Sequence, residues 1–260
     1  MTMHASPSRT RDKAQSTRLS APRITLPTVS FVIPTLNEAE NLPYLLPRIP
    51  AWAHEIIIVD GRSTDDTIAV ARALCEDVRI VLEPAKGKGL ALRAGFEAAT
   101  GDIIIMLDAD GSMLPEEAMS FVGALIAGAD LVKGSRFCQG GTTDDMSYFR
   151  MFGNWGLTQL VRLFYGGDFT DLCYGYMAFW RRHVRTLNVN CPGFEVETLI
   201  NLRAIKADLK IVEVASFEAT RISGVSNLRA IPDGWSVLKT IFRERGIKQT
   251  PSAYGHSLEA

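Results

Sequence analysis

Cysteine is scarce in this chain. Four occur in 260 residues, at positions 75, 138, 173 and 191, and no two form a CxxC pair. That spacing excludes a structural zinc site. No apolar segment follows the basic residues near the start, so a secretory signal is not expected and the thiols read as reduced ones in the cytoplasm. The four histidines (His4, His54, His183, His256) are scattered, and no Ser–His–Asp set is visible. No apolar run approaches the ~20 residues needed to span a bilayer, so any membrane contact is expected to be peripheral, on the cytoplasmic face. A net charge of −1 provides no general field for nucleic acid, which is not expected as a partner. The one glycine-rich stretch, Lys86-Gly87-Lys88-Gly89, fits neither phosphate fingerprint: no GK[ST] follows, and the third glycine of GxGxxG is missing.

What is present is unevenly charged. Residues 1–28 carry five basic side chains (Arg9, Arg11, Lys13, Arg18, Arg23) against one acid, Asp12, which leaves the rest net acidic. The head is rich in Ser, Thr and Pro and reads as a basic disordered tail over 1–27. Residues 28–246 read as one large domain, with a flexible tail over 247–260. An apolar content of 47% and a charged content of 22% suit an ordinary packed domain.

Apolar runs predict strands at 29–33, 55–60, 79–83, 102–108 and 130–135. Between them lie helical patterns at 64–77, capped by Ser63 or Thr64, and at 86–101 and 115–128. A helix-like stretch from Glu38 is broken by Pro43 and Pro47. Strand–helix alternation predicts an α/β fold with a mostly parallel sheet covered on both faces. The second half is more elaborate: a helix at 147–167, an extended stretch at 170–182, a helix at 194–207, a strand at 210–214 and a helix at 233–246.

Ligands of such sheets bind outside the carboxyl ends of the strands. Asn37, Asp60, Asp108 and Asp110 all follow strands there. In IIIMLDADGS (103–112), two carboxylates at i and i+2 share one side of an extended chain. They repel unless a cation lies between them, and Mg²⁺ or Mn²⁺ with phosphate oxygens suits that donor set. The bland alternative is a solvent-facing turn through Gly111. Asp60 precedes Gly61 and can accept from a base N–H or a ribose hydroxyl, or simply cap its turn. Arg136, at the end of a strand, stands on the same rim; Arg150 and Arg221 can join it to hold phosphates.

Six segments in order, VIPTLNE, VDGRSTDDT, KGKGLALRAGFEAATGD, LDADGS, GSRF and TDLCYGYMAF, resemble glycosyltransferase family 2 with its GT-A fold. FEVET (194–198) and TRISGVSNL (220–228) resemble segments of the dolichyl- and polyprenyl-phosphate hexosyltransferases within it. The resemblance spans about 28–246. It implies an inverting, Mg²⁺- or Mn²⁺-dependent transfer of a hexose from a nucleotide-diphospho-sugar, of GDP-mannose or UDP-glucose type, to a polyprenyl or dolichyl phosphate. Pro34, Thr35, Glu38 and Asp60 would line the nucleoside pocket, with Lys88 and Asp108 on the nucleotide. Asp108 and Asp110 would hold the metal. Arg136, Arg150 and Arg221 would meet the phosphates, and Asp171 would sit near the sugar. There are departures: VDGRS stands where VDDGS is frequent, which puts Arg62 beside the nucleotide. Ser112 stands where the branch often has Gln, and the QxxRW of processive relatives is absent.

A lipid phosphate is already an anion at pH 7 and needs no strong base. A soluble hydroxyl acceptor, such as a glycan or a natural-product core, would need one, with Asp171 or Asp168 the candidates. A sugar nucleotidyltransferase would require a glycine-rich loop after the first strand, which TLNEAEN is not. A non-catalytic nucleotide sensor would tolerate loss of Asp108 and Asp110. Trp235, Leu238, Ile241 and Phe242, with Lys239, Arg243 and Arg245 nearby, form either an interfacial helix face or a face packed on the domain.

Overall fold

A computed structural model describes residues 26–247. The expected tails lie outside the described residues except at their inner edges. In chain order the elements are β1 (Val29–Thr35), α1 (Leu42–Leu45), β2 (Glu55–Asp60), α2 (Thr67–Leu74), β3 (Arg79–Leu82), α3 (Lys88–Ala98), β4 (Ile103–Met106), α4 (Ala118–Ile126), β5 (Leu131–Ser135), β6 (Thr142–Thr143), α5 (Tyr148–Tyr165), β7 (Met177–Trp180), α6 (Val184–Leu187), α7 (Val196–Lys206), β8 (Ile211–Ala215), β9 (Phe217–Glu218) and α8 (Ala230–Gly246).

Seven strands form one sheet in the order β3-β2-β1-β4-β7-β5-β8. All pairings are parallel except those of β7, which runs antiparallel to both β4 and β5. The stretch expected to be extended over 170–182 is therefore a strand only at 177–180. Residues 170–176 are irregular and run along the rim before the strand begins. β6 and β9 form a separate two-stranded ribbon.

Alternation along the strands builds two cores. Phe31, Ile33, Ile58, Ile105 and Ala178 face α1 and α4. Val32, Ile57, Val59, Ile104 and Phe179 face α3 and α7. Both faces are covered, which is why the central strands read as unbroken apolar runs. A third cluster joins α5, α7 and α8 through Val161, Leu202, Val237 and Ile241. The face expected on the last helix is split as a result. Ile241 points into this cluster, while Trp235 and Phe242 remain exposed. Glu244, from the same buried side of α8, receives Arg203 at 3.1 Å and Lys206 at 3.1 Å from α7.

α3 lies close on the sheet because Gly95 has no side chain. A Cβ there would collide with Val32 Cγ1 and Val59 Cγ2. Gly95→Ala is expected to destabilise the protein by about 1–3 kcal/mol, since two β-branched side chains fixed within strands must shift. Chemical denaturation checks this; a change within ~0.5 kcal/mol would show that the helix can lift without loss.

Two turns differ from expectation. Ser63 and Thr64 do not cap α2, which starts at Thr67. Ser63 Oγ accepts from the Asn37 amide, and the Thr64 amide donates to Asn37 Oδ1. These bonds clamp the loop after β1 to the loop after β2. Asn37 is left-handed there (φ 59°), a conformation that asparagine tolerates better than most residues.

Candidate active site

A cavity of about 680 Å³ opens at the carboxyl ends of β1, β4 and β5. Its wall includes Pro34, Thr35, Glu38, Lys88, Asp108, Asp110, Arg136, Arg150 and Arg221, so most of the residues singled out from sequence converge here. Asp60 is buried one residue before Gly61, which does line the cavity. Asp171 and Asp168 are not part of the wall.

The two acids reach the cavity by way of a turn. β4 ends at Met106, so Asp108 and Asp110 are not held by strand alternation. Gly111 adopts a left-handed conformation (φ 76°), and Asp110 Oδ1 accepts from the amide and hydroxyl of Ser112. The turn is closed as the bland alternative foresaw, yet both carboxylates still border the cavity. The segment after β9 is laced along this turn. Ala219 donates to the Ser112 carbonyl, Ile222 donates to the Asp110 carbonyl, and the Ile222 side chain fills the space beside Gly111.

That lacing places Arg221 between Asp110, at 3.0 Å, and Glu38, at 3.4 Å. Burial pushes the Glu38 carboxyl above its usual range, against the opposing pull of Asn41 and Arg221. Lys88 sits likewise between Asp108 and Glu197, at 2.7 Å from each. Burial disfavours its charge, but the two carboxylates outweigh this and hold the ammonium above its ordinary range. The glycines around Lys88 have a clear purpose. Gly87 and Gly89 admit the backbone of Cys191 and Pro192, and the Gly89 amide donates to the Pro192 carbonyl at 3.0 Å. Lys88 is thereby held inward rather than exposed at a solvated helix start.

Arg136 is nearly wholly buried, and each of its three side-chain nitrogens meets a protein carboxylate. Nε and Nη2 meet Asp171 at 2.7 and 2.9 Å, and Nη1 meets both oxygens of Glu218 at 3.0 Å. Its guanidinium stacks on Tyr174, 4.6 Å from the ring centroid. Asp171, with no exposed surface, also accepts from Asn154 at 3.1 Å. Its position near the sugar and its role as base both conflict with this burial. It anchors Arg136 instead. Asp168 is exposed beyond the end of α5, so it does not fit a base facing the cavity either. Arg150 is freer, with Asp145 at 3.9 Å as its ionic partner.

Glu197 and Glu218 were not among the residues expected at the site. Glu197 ends the F-x-x-E of FEVE, where Phe194 also approaches Lys88 at 5.7 Å; that segment was the available signal. Glu218 lies on a two-residue strand with no local pattern.

Among the described residues no group of three or more His, Cys, Asp or Glu side chains converges as a metal centre. Two carboxylates alone suit a hard cation that completes its shell with phosphate oxygens and water, as Mg²⁺ or Mn²⁺ does. They do not suit a closed zinc site.

The family model for glycosyl transferase family 2 matches residues 30–187. The chain belongs to glycosyl transferase family 2. It is 31% identical over 232 residues to a polyprenol monophosphomannose synthase of Mycolicibacterium smegmatis, covering 84% of this chain and 86% of that one. It is 31% identical over 223 residues to a dolichol-phosphate mannosyltransferase of Pyrococcus furiosus, covering 82% of this chain but 60% of that longer one. Its fold is GT-A: glucosyl-3-phosphoglycerate synthase from Mycobacterium tuberculosis, solved with Mn²⁺, UDP and glucosyl-3-phosphoglycerate, superposes with a TM-score of 0.65 at 24% identity, over 86% of this chain and 82% of that one. This family 2 member is thus a glycosyltransferase. Among its described residues no helix is long and apolar enough to cross a membrane.

Proposed function

We propose that this glycosyltransferase moves a hexose from a nucleotide-diphospho-sugar to a polyprenyl phosphate at a membrane surface. One observation carries the proposal. The cavity that holds the two tandem acids also holds arginines, and it opens beside exposed aromatic side chains of α5, with Phe149 on its wall. Tyr148 is 89% exposed, Phe152 71% and Trp155 57%, and Trp235 of α8 is also exposed. Phe152 and Trp155 stack on one another, with centroids 5.7 Å apart. Such a group of aromatics beside a cavity that carries arginines suits a headgroup interface.

Asp108 and Asp110 would hold Mg²⁺ or Mn²⁺, which when bound draws negative charge from the departing diphosphate. Lys88 and Arg221 hold further positive charge against the same turn and bind the diphosphate oxygens. Pro34 and Thr35 border the nucleoside. Arg150 orients the acceptor phosphate from α5. Arg136, held between Asp171 and Glu218, contributes a fixed part of the cavity wall. The acceptor phosphate is ionised at pH 7, so no proton must leave it as it attacks the anomeric carbon.

The test combines two assays of the whole protein. Purified enzyme with nucleotide-sugar and Mn²⁺ is expected to label polyprenyl phosphate in detergent. Replacing Tyr148, Phe152 and Trp155 together with Ser is expected to weaken binding to anionic vesicles by about a hundredfold or more, given the area each aromatic buries. Nucleotide binding should be unchanged. Sugar appearing on a hydroxyl acceptor and never on lipid phosphate would overturn the proposal.

A further inference from the structure

The first half of α5 is weakly fixed to the domain. Tyr148, Phe149, Phe152 and Trp155 are exposed, and among the described residues the apolar clusters take nothing from this helix before Leu157. One residue of that half is buried, and it is polar: Asn154, with 4% of its surface exposed. Its side chain is used at both ends. Nδ2 donates to Asp171 Oδ1 at 3.1 Å, and Oδ1 accepts from the Cys173 amide at 3.0 Å. A carboxylate on one side and an N–H on the other require a group that both donates and accepts, which sets the amide in one orientation. An aspartate could not donate to Asp171, and an apolar side chain would satisfy neither partner.

What Asn154 holds in place is Arg150. The two residues lie one turn apart on the same face of α5, and both line the cavity. Asp171 Oδ1, which receives Asn154, also receives Arg136 Nη2 at 2.9 Å. Asp171 is fixed from the sheet side as well: its amide donates to Glu213 at 3.2 Å, and its carbonyl accepts from the buried Lys133 ammonium. Arg136, just past β5, and Arg150, on α5, are thus both referred to one immobile residue. The Arg150 side chain has no comparable tether of its own, with Asp145 at 3.9 Å as its ionic partner.

We infer that Asn154 is a positioning residue for transfer: it fixes the rotation of α5 about its axis, and with it the place at which Arg150 meets the acceptor phosphate. The inference rests on the acceptor reading above and adds a residue that acts through Arg150.

A double-mutant cycle on the full chain tests it, with Mn²⁺, polyprenyl phosphate in detergent, and GDP-mannose or UDP-glucose, whichever the wild type uses. Asn154→Ala is expected to lower kcat/KM for polyprenyl phosphate by about ten- to a hundredfold, the scale of a misplaced binding group. Binding of the nucleoside diphosphate should stay within about twofold of wild type. Arg150→Ala, expected to cost about tenfold or more in the wild type, should cost less than about threefold in the Asn154→Ala background, because the misplaced guanidinium no longer meets the phosphate. The amides of residues 152–157 should exchange with solvent about tenfold faster, with those of β1 and β4 unchanged. A merely structural loss would speed exchange throughout and leave the cost of Arg150→Ala as it was. Asn154→Gln, which keeps the amide but shifts it by one methylene, takes the place of Asn154→Ala in the cycle if the latter does not fold. Equal costs of Arg150→Ala in the two backgrounds would overturn the inference and leave the acceptor reading standing. A wild type that transfers to no polyprenyl phosphate would overturn that reading, and the inference with it.

Discussion

Asp108→Asn is expected to lower kcat/KM by about a thousandfold, the scale of losing a principal electrostatic contact to the departing group. The fold should survive. Lys88, which pairs with Asp108, keeps Glu197 at 2.7 Å, so no buried charge is left alone. The turn is held by Asp110, Ser112 and Ile222 rather than by Asp108. Steady-state kinetics beside a melting curve separate the two effects. Chelation of the divalent ion should bring the wild type down to the level of the variant and change the variant little further. A loss below tenfold, or a variant still sensitive to chelation over orders of magnitude, would show that Asp108 does not hold the ion.

Arg136→Ala is expected to act on the fold first, costing about 3–5 kcal/mol. The change leaves Asp171 and Glu218, both buried, without their shared cation. Asp171 shows the coupling. Burial opposes its ionisation, but Arg136 beside it outweighs that and holds the carboxyl below its usual range. A depressed carboxylate contributes stability that is present above its unfolded pKa and is lost as pH falls through the folded one. Wild-type stability should therefore decline in acid, and the variant should show a smaller decline. Arg150→Ala is the control: its partner is 3.9 Å away and both groups are partly exposed, so stability should change by no more than ~0.5 kcal/mol while transfer falls. Equal urea midpoints for wild type and Arg136→Ala would show that Arg136 is not structural.

Residues that advertise themselves locally were legible in sequence. β1, β2, β4 and β5 are apolar because helices cover both faces, and the tandem acids follow β4 because the cavity lies at that rim. Pro43 was expected to interrupt the first helix but sits in the first turn of α1, where proline is tolerated, and Pro47 lies in the 3₁₀ turn that follows this four-residue helix. Residues defined by distant partners were not legible. Asp171 looked like a candidate base within the TDLCYGY string, but its burial depends on Arg136, 35 residues away. Glu218 meets Arg136 across 82 residues. Whether the face that carries Ile241 turned outward or packed on the domain stayed open in sequence, because no local pattern shows that α5 and α7 pack against α8. The antiparallel direction of β7 was equally hidden, since four apolar residues carry no sign of direction.

That strand has a consequence for how the protein is made. β4 and β5 are not neighbours; β7, made some seventy residues after β4, is the piece between them. Until it leaves the ribosome, β4 presents an open edge of Ile103, Ile104, Ile105 and Met106 that nothing earlier in the chain can cover. The central pairing is long-range, and folding is correspondingly slow and exposed to edge-to-edge association. Fragments truncated before residue 177 are thus the forms of this enzyme most prone to aggregate.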